Sequence, residues 1–112
     1  MRLIVCGGRN YNNNQELKSL IDRFENIEII IHGAATGADT LAGQIAREKG
    51  IEEISFPANW EKYGRAAGGI RNKQMLDEGK PDAILAVKGG RGTTNMINQA
   101  LKAGVKVYNF NN

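Results

Sequence analysis

The chain has 112 residues, enough for one compact domain and too few for separate catalytic and substrate domains. With 41% apolar residues, 14 glycines and 24% charged residues, its composition excludes a disordered segment and a coiled coil. Fifteen Lys and Arg against 12 Asp and Glu leave +3, a diffuse surplus that suits an anionic ligand without naming it.

Taken in order, the apolar runs Leu3 to Cys6, Ile27 to Ile31, Ile54 to Phe56, Ala83 to Val87 and Val105 to Phe110 predict five strands. The first, second and fourth are almost continuously apolar, as expected where helices cover both faces of a parallel sheet. After the first strand, Leu17, Leu20, Ile21 and Phe24 recur at helical spacing, with Asn13 as N-cap and Glu16 in the first turn. A second helix is predicted from about Asp39 to Lys49, with Gly50 as its stop. A third follows from about Ala66 to Glu78, and a fourth from about Thr94 to Lys102, with Gly104 as terminator. The order is βαβαβαβαβ, which favours right-handed crossovers and an open five-stranded parallel sheet of the α/β class. The expected strand order is 3-2-1-4-5, setting the first and fourth strand ends side by side where the winding reverses.

The lone Cys6 cannot form an internal disulfide, and no Cys/His group has the spacing of a zinc site. The opening MRLIVCGG is too short in apolar residues for a signal peptide or a membrane span, so a cytoplasmic location without a membrane partner is expected.

Three glycine loops follow strands. Gly7 and Gly8 can turn sharply and bring backbone N–H groups close to an anion, with Arg9 adding a charged fork; a tight strand exit with a solvated Arg is the plainer alternative. Gly33 and Gly37 lead into the second helix, whose start offers free N–H groups to phosphate. Asp39 there either caps that helix or binds ribose hydroxyls. His32 is a structural, binding or acid–base residue for which no sequence partner fixes a state. The densest signal is Gly89, Gly90, Gly92 and Thr93, where short donors at a helix start can surround phosphate oxygens. This loop lacks the Lys of a P-loop and the GxGxxG spacing of a dinucleotide fold. Between the third strand and third helix, Pro57 to Asn72 forms a lid or pocket wall. There Arg65 and Arg71 can close on phosphate, Asn72 can read a polar edge, and Trp60 and Tyr63 offer stacking faces or pin the loop.

Together MRLIVCGGRNY, IHGAATGAD, FPANWEKYGRAAGGIRN and KGGRGTTNM resemble the DUF2493 or YspA-like family of small bacterial and phage proteins. The resemblance runs from about Met1 to Tyr108 and implies a single three-layer, SLOG-type Rossmann-like nucleotide-binding domain over residues 1–112. The wider superfamily includes proteins similar to cytokinin-activating phosphoribohydrolases, DNA-processing protein A and nucleotide-sensing domains of defence proteins. It implies a nucleotide-derived ligand at the carboxyl ends of the strands, near Gly7, Gly8, Arg9, Gly33, Gly37, Asp39, Gly89, Gly90, Gly92 and Thr93. Where the phosphoribohydrolases resemble PGGxGTxxE, this chain has Lys88 in place of the Pro and Met96 in place of the Glu. A thioether can neither activate water nor support an oxocarbenium-like centre.

The leading expectation is therefore a non-catalytic or weakly catalytic binder of a nucleotide-derived small molecule, ADP-ribose-like or a signalling nucleotide, using no cofactor. The enzyme alternative is N-glycoside hydrolysis, with Arg9 and Arg71 holding phosphate and Asp39 orienting ribose or activating water. Nucleic-acid binding comes last, disfavoured because the basic residues form no long stripe. Self-association as a homodimer or higher homo-oligomer fits a small parallel-sheet domain, C2 pairing being the common default.

Overall fold

The computed structural model describes residues 1–111. Its elements are β1 (Arg2–Cys6), α1 (Asn14–Ile21), β2 (Ile29–His32), α2 (Ala38–Lys49) and β3 (Glu52–Ser55), then α3 (Trp60–Tyr63) and a 3₁₀ turn (Gly64–Ala66). They are followed by α4 (Ala67–Gly79), β4 (Ala83–Ala86), α5 (Arg91–Lys102) and β5 (Lys106–Asn109). All four strand pairings are parallel and the order is β3-β2-β1-β4-β5, the order expected from the sequence. The apolar runs take the three central places. The edge strands β3 and β5 carry Glu52, Glu53 and Lys106, charges that discourage edge-to-edge pairing.

Side-chain alternation along the strands divides the interior into two layers. Leu3, Val5, Ile30 and Leu85 meet Leu17, Ile21, Ala42 and Ile45 of α1 and α2 on one face. Ile4, Ile31, Ile84 and Ala86 meet Met75 of α4 and Met96, Ile97 and Ala100 of α5 on the other. The result is a single three-layer α/β domain with a Rossmann-like sheet. No helix among the described residues is long and apolar enough to cross a membrane.

Strand and helix ends shift from the sequence reading by one or two residues, β3 among them at Glu52–Ser55 rather than Ile54 to Phe56, and three differences are larger. Trp60 to Tyr63, expected in loop, forms a short helix because the Asn59 side chain accepts the Lys62 N–H at 3.0 Å. The helix expected from Thr94 begins at Arg91, so Gly92 and Thr93 lie in its first turn rather than in a loop. Burial of Thr93 and Met96 against the sheet outweighs the poor helix propensity of Gly92. Phe24, expected on the first helix, falls beyond it yet still packs on the core.

The loops leaving β1, β2 and β4 are locked together. Gly8 donates its N–H to the Lys88 carbonyl at 2.9 Å, and its own carbonyl accepts from Tyr11 at 3.2 Å and Ala38 at 3.1 Å. This closeness leaves no room for side chains. At Gly37, φ is +77° and a Cβ would strike the Gly8 and Arg9 carbonyls; at Gly89 it would stand 2.6 Å from the Gly8 nitrogen and collide with the Thr93 hydroxyl.

Gly89→Ala should therefore destabilise the fold by about 1–3 kcal/mol through overpacking. Gly92→Ala, whose Cβ would enter open space within a helix, should stabilise it by up to about 1 kcal/mol. Urea unfolding of the two variants checks the pair; equal effects would contradict the interlocked loops.

Candidate functional site

At the carboxyl edge of the sheet, where β1 and β4 lie side by side and the winding reverses, a cleft of about 350 Å³ opens. Nine residues singled out from the sequence line it. Gly7, Gly8 and Arg9 come from the β1 exit, Asp39 from α2, and Arg71 and Asn72 from α4, while Gly90, Gly92 and Thr93 come from the start of α5. Gly33, Gly37, Gly89 and Arg65 lie outside its wall. Gly33 supports Arg71, its carbonyl accepting from the guanidinium, and Gly37 backs the β1 exit. Arg65 is exposed on the 3₁₀ turn.

The chemistry inside the cleft divides into braces and free groups. Asn72 is a brace: only 4% exposed, it accepts from Arg71 Nε at 3.0 Å and donates to the Gly92 carbonyl at 3.2 Å and Asn95 Oδ1 at 3.0 Å. Its amide fastens α4 to the first turn of α5 and has little left for a ligand edge. Gly8 likewise spends its N–H on Lys88. The α5 start is different, because no side chain caps it among the described residues and N-cap Gly90 has none to offer. The N–H groups of the first helical turn, directed out of the helix end, form an anion site by geometry and partial charge.

Sequence reasoning gave Trp60 no fixed role and left Arg91 unassigned; both line the cleft. Trp60 stands 48% exposed at its rim with the Arg9 guanidinium 5.3 Å from the ring centre, a cation–π pair that presents an aromatic face beside a charge. Asn59 ahead of Glu61 was the available sign of the short helix that places Trp60 there.

Electrostatics rank the remaining groups. Asp39 is 6% exposed; burial raises its carboxyl above the ordinary range, opposed by the Ala35 N–H at 3.1 Å and by the charge of Arg71. Burial in turn depresses Arg71, with Asp39 working the other way. Burial pushes the Cys6 thiol up to about 12, which removes it as a nucleophile at neutral pH. His32 lies outside the cleft wall. Its Nδ1 accepts the Ala34 N–H at 3.0 Å, which places the ring proton on Nε2, facing Glu53 Oε2 at 2.6 Å. That hydrogen bond, with Arg47 on the same carboxylate, holds Glu53 below its usual range. His32 thus fixes the β2–α2 loop rather than facing a ligand. Met96 is fully buried in the core, so the only carboxylate lining the cleft among the described residues is Asp39.

A raised carboxyl in the folded state contributes stability that is complete below the unfolded value of 3.8 and is lost as pH rises through the folded value. Asp39→Asn, which keeps an acceptor for Ala35, should therefore gain stability over the parent chain on going from acid to neutral pH. Urea midpoints across that range check the sign; a variant that loses ground with rising pH would contradict it.

The family model described as "YspA, cpYpsA-related SLOG family" matches residues 1–63. The Gene 61 protein of Mycobacterium phage D29 is 38% identical over 89 residues, which cover 73% of this chain and 70% of that protein. Among solved structures, DNA processing protein A from Streptococcus pneumoniae shares the fold with a TM-score of 0.75 at 19% identity. The match takes in 95% of this chain, which spans about half of that longer one, 48%. The structure of TM1055 shares it with a TM-score of 0.71 at 19% identity, over 94% of this chain and 71% of that one. The setting aside of nucleic acid as a partner is corrected by this likeness to a DNA-processing protein. A missing basic stripe argues against gripping a duplex, whereas a cleft holding one or two phosphates needs no stripe. The family model and the phage relative together show that the chain belongs to the YspA, cpYpsA-related SLOG family.

Proposed function

We propose that this domain binds nucleic acid through a single accessible nucleotide. Its phosphate lies between Arg9, Arg71 and the uncapped start of α5, and its base stacks on Trp60. The observation that carries the reading is the convergence in one cleft of three arginines, Arg9, Arg71 and Arg91, with an uncapped helix N-terminus and an exposed indole. Each matches one part of a nucleotide: cations and backbone donors match the phosphate, and the aromatic face matches the base. The fold likeness to DNA processing protein A supports a polymeric source for that nucleotide. An extended duplex would demand more cations than this edge supplies, so the fitting form is a single strand or a frayed end.

A second reading, a free nucleotide-derived ligand, draws support from the size of the cleft, about 350 Å³, within the range of small-molecule pockets. Asp39 at its floor offers an acceptor for a ribose hydroxyl. Hydrolysis of a glycosidic bond would rest on Asp39 alone.

Trp60 is the sole tryptophan, so its fluorescence reports on this cleft without interference. Titration with a short single-stranded oligonucleotide should quench it. The affinity should fall with salt at a logarithmic slope between about −0.7 and −1.4, the release expected for one or two phosphates. Arg9→Ala should weaken binding by roughly ten-fold or more, the worth of a charge-assisted hydrogen bond. Quenching by free nucleotides alone would favour the second reading, and no binding of either by folded protein would overturn both.

A further inference from the structure

A second cavity, of about 690 Å³, lies beside the first. The two meet at Gly8, Arg9 and Gly90, which line both. We propose that this second cavity is a nucleoside subsite, so that the unit recognised is two nucleosides joined through phosphate, the linkage crossing the shared ridge beside Arg9. The inference rests on the reading of the first cleft given above.

Its walls differ in character from those of the cleft. Asn10 and Asn12 contribute exposed carboxamides, which pair donor and acceptor as base edges do. Phe110 stands 39% exposed in the wall, its own N–H held to the Ala86 carbonyl at 2.7 Å, so the backbone that carries this ring is fastened to the end of β4. Glu16 also lines the cavity and accepts the Tyr11 hydroxyl at 2.6 Å. A carboxylate there repels phosphate and admits a neutral base and sugar. Charge therefore sorts the ligand: phosphate goes to the ridge, where Arg9 belongs to both cavities, and a nucleoside goes to each side. Lys88, on the rim of the second cavity, can meet a further phosphate of a continuing chain.

Two ligand sources share this chemistry, a step of a single strand and a pyrophosphate-linked dinucleotide. Calorimetry on the full chain compares three probes: the methyl phosphodiester of adenosine 5′-monophosphate, the dinucleotide ApA, and diadenosine pyrophosphate. The methyl ester fills the first cleft alone with the same diester charge as ApA. A second nucleoside in its own subsite should tighten binding roughly ten-fold over the methyl ester, the value of one stacked base. A gain with ApA identifies the strand step; a gain confined to diadenosine pyrophosphate, which carries one more negative charge than the methyl ester, identifies the pyrophosphate-linked source where Phe110→Ala erases it and overturns the subsite where Phe110→Ala leaves it intact. Phe110→Ala and, independently, Asn10→Ala should erase most of that gain while the methyl ester binds within two-fold of the parent chain. Equal affinity for all three probes would overturn the second subsite and leave the first cleft standing. Equal weakening of every probe in both variants would also overturn it. Failure of the methyl ester and both dinucleotides to bind would remove the first reading and this one together.

Discussion

The backbone of one residue, Gly8, holds the functional edge in shape. The N–H of Gly8 is bound to the Lys88 carbonyl, while its carbonyl takes the N–H groups of Ala38 and Tyr11. These bonds tie the exit of β1 to the loop after β4, to the start of α2 and to the turn that leads to α1. Each is an ordinary backbone hydrogen bond, worth about 1 kcal/mol in net terms. Their importance lies in the geometry they enforce, since three chain segments distant in sequence come so close that side chains at Gly37 and Gly89 would collide. The glycines are needed first for this approach and only second for anything a ligand asks of them.

That constraint decides which polar groups are available. Donors consumed in the knot, such as the N–H of Gly8, are closed to an anion; those on the first turn of α5 remain. Arg71 and Asn72 form a second brace from the other side. Arg71 reaches the Gly33 carbonyl and Asn72 reaches α5, so that α4 is tied both to the exit of β2 and to the start of α5. The rim, by contrast, is carried by exposed residues on short elements: Arg9 beyond β1, and Trp60 on a single helical turn. A rigid floor with an open, aromatic and cationic rim suits a ligand that enters by one end and need not be wholly enclosed.

The architecture was readable because its signals are local and mutually consistent. Ile29 to Ile31 and Ala83 to Val87 are apolar without interruption, Asn13 caps α1, and Gly50 ends α2, so the alternation of elements follows, and the doubly wound order expected from it is the one found. The position of the site followed from that order. Its details did not, because the same letters serve opposite ends. Gly7 and Gly8 read as a cradle for phosphate whether their amides face solvent or a neighbouring carbonyl, and only the register of β1 against β4 chooses. Arg65 and Arg71 are equal as cations in sequence. A 3₁₀ turn leaves the first exposed and the helix after it turns the second inward, a phase that Gly68 and Gly69 obscured. Asn72 carries an amide whose partners belong to a helix twenty residues away. The absence of a long basic stripe weighs against nucleic acid in the sequence, because residues as far apart as Arg9, Arg71 and Arg91 form no stripe there, yet the fold gathers all three in one cleft.

The central claim is that phosphate of a nucleotide meets the open start of α5 rather than the closed knot around Gly8. Amide chemical shifts of uniformly ¹⁵N-labelled protein, followed while a single-stranded oligonucleotide is added, separate these directly. The account predicts large shifts for the amides of Arg91, Gly92 and Thr93 and for the indole of Trp60, with the Gly8 amide keeping the signature of its bond to Lys88. Shifts centred on Gly33 and Gly37, or a Gly8 amide that changes partner while the α5 amides stay still, would contradict it.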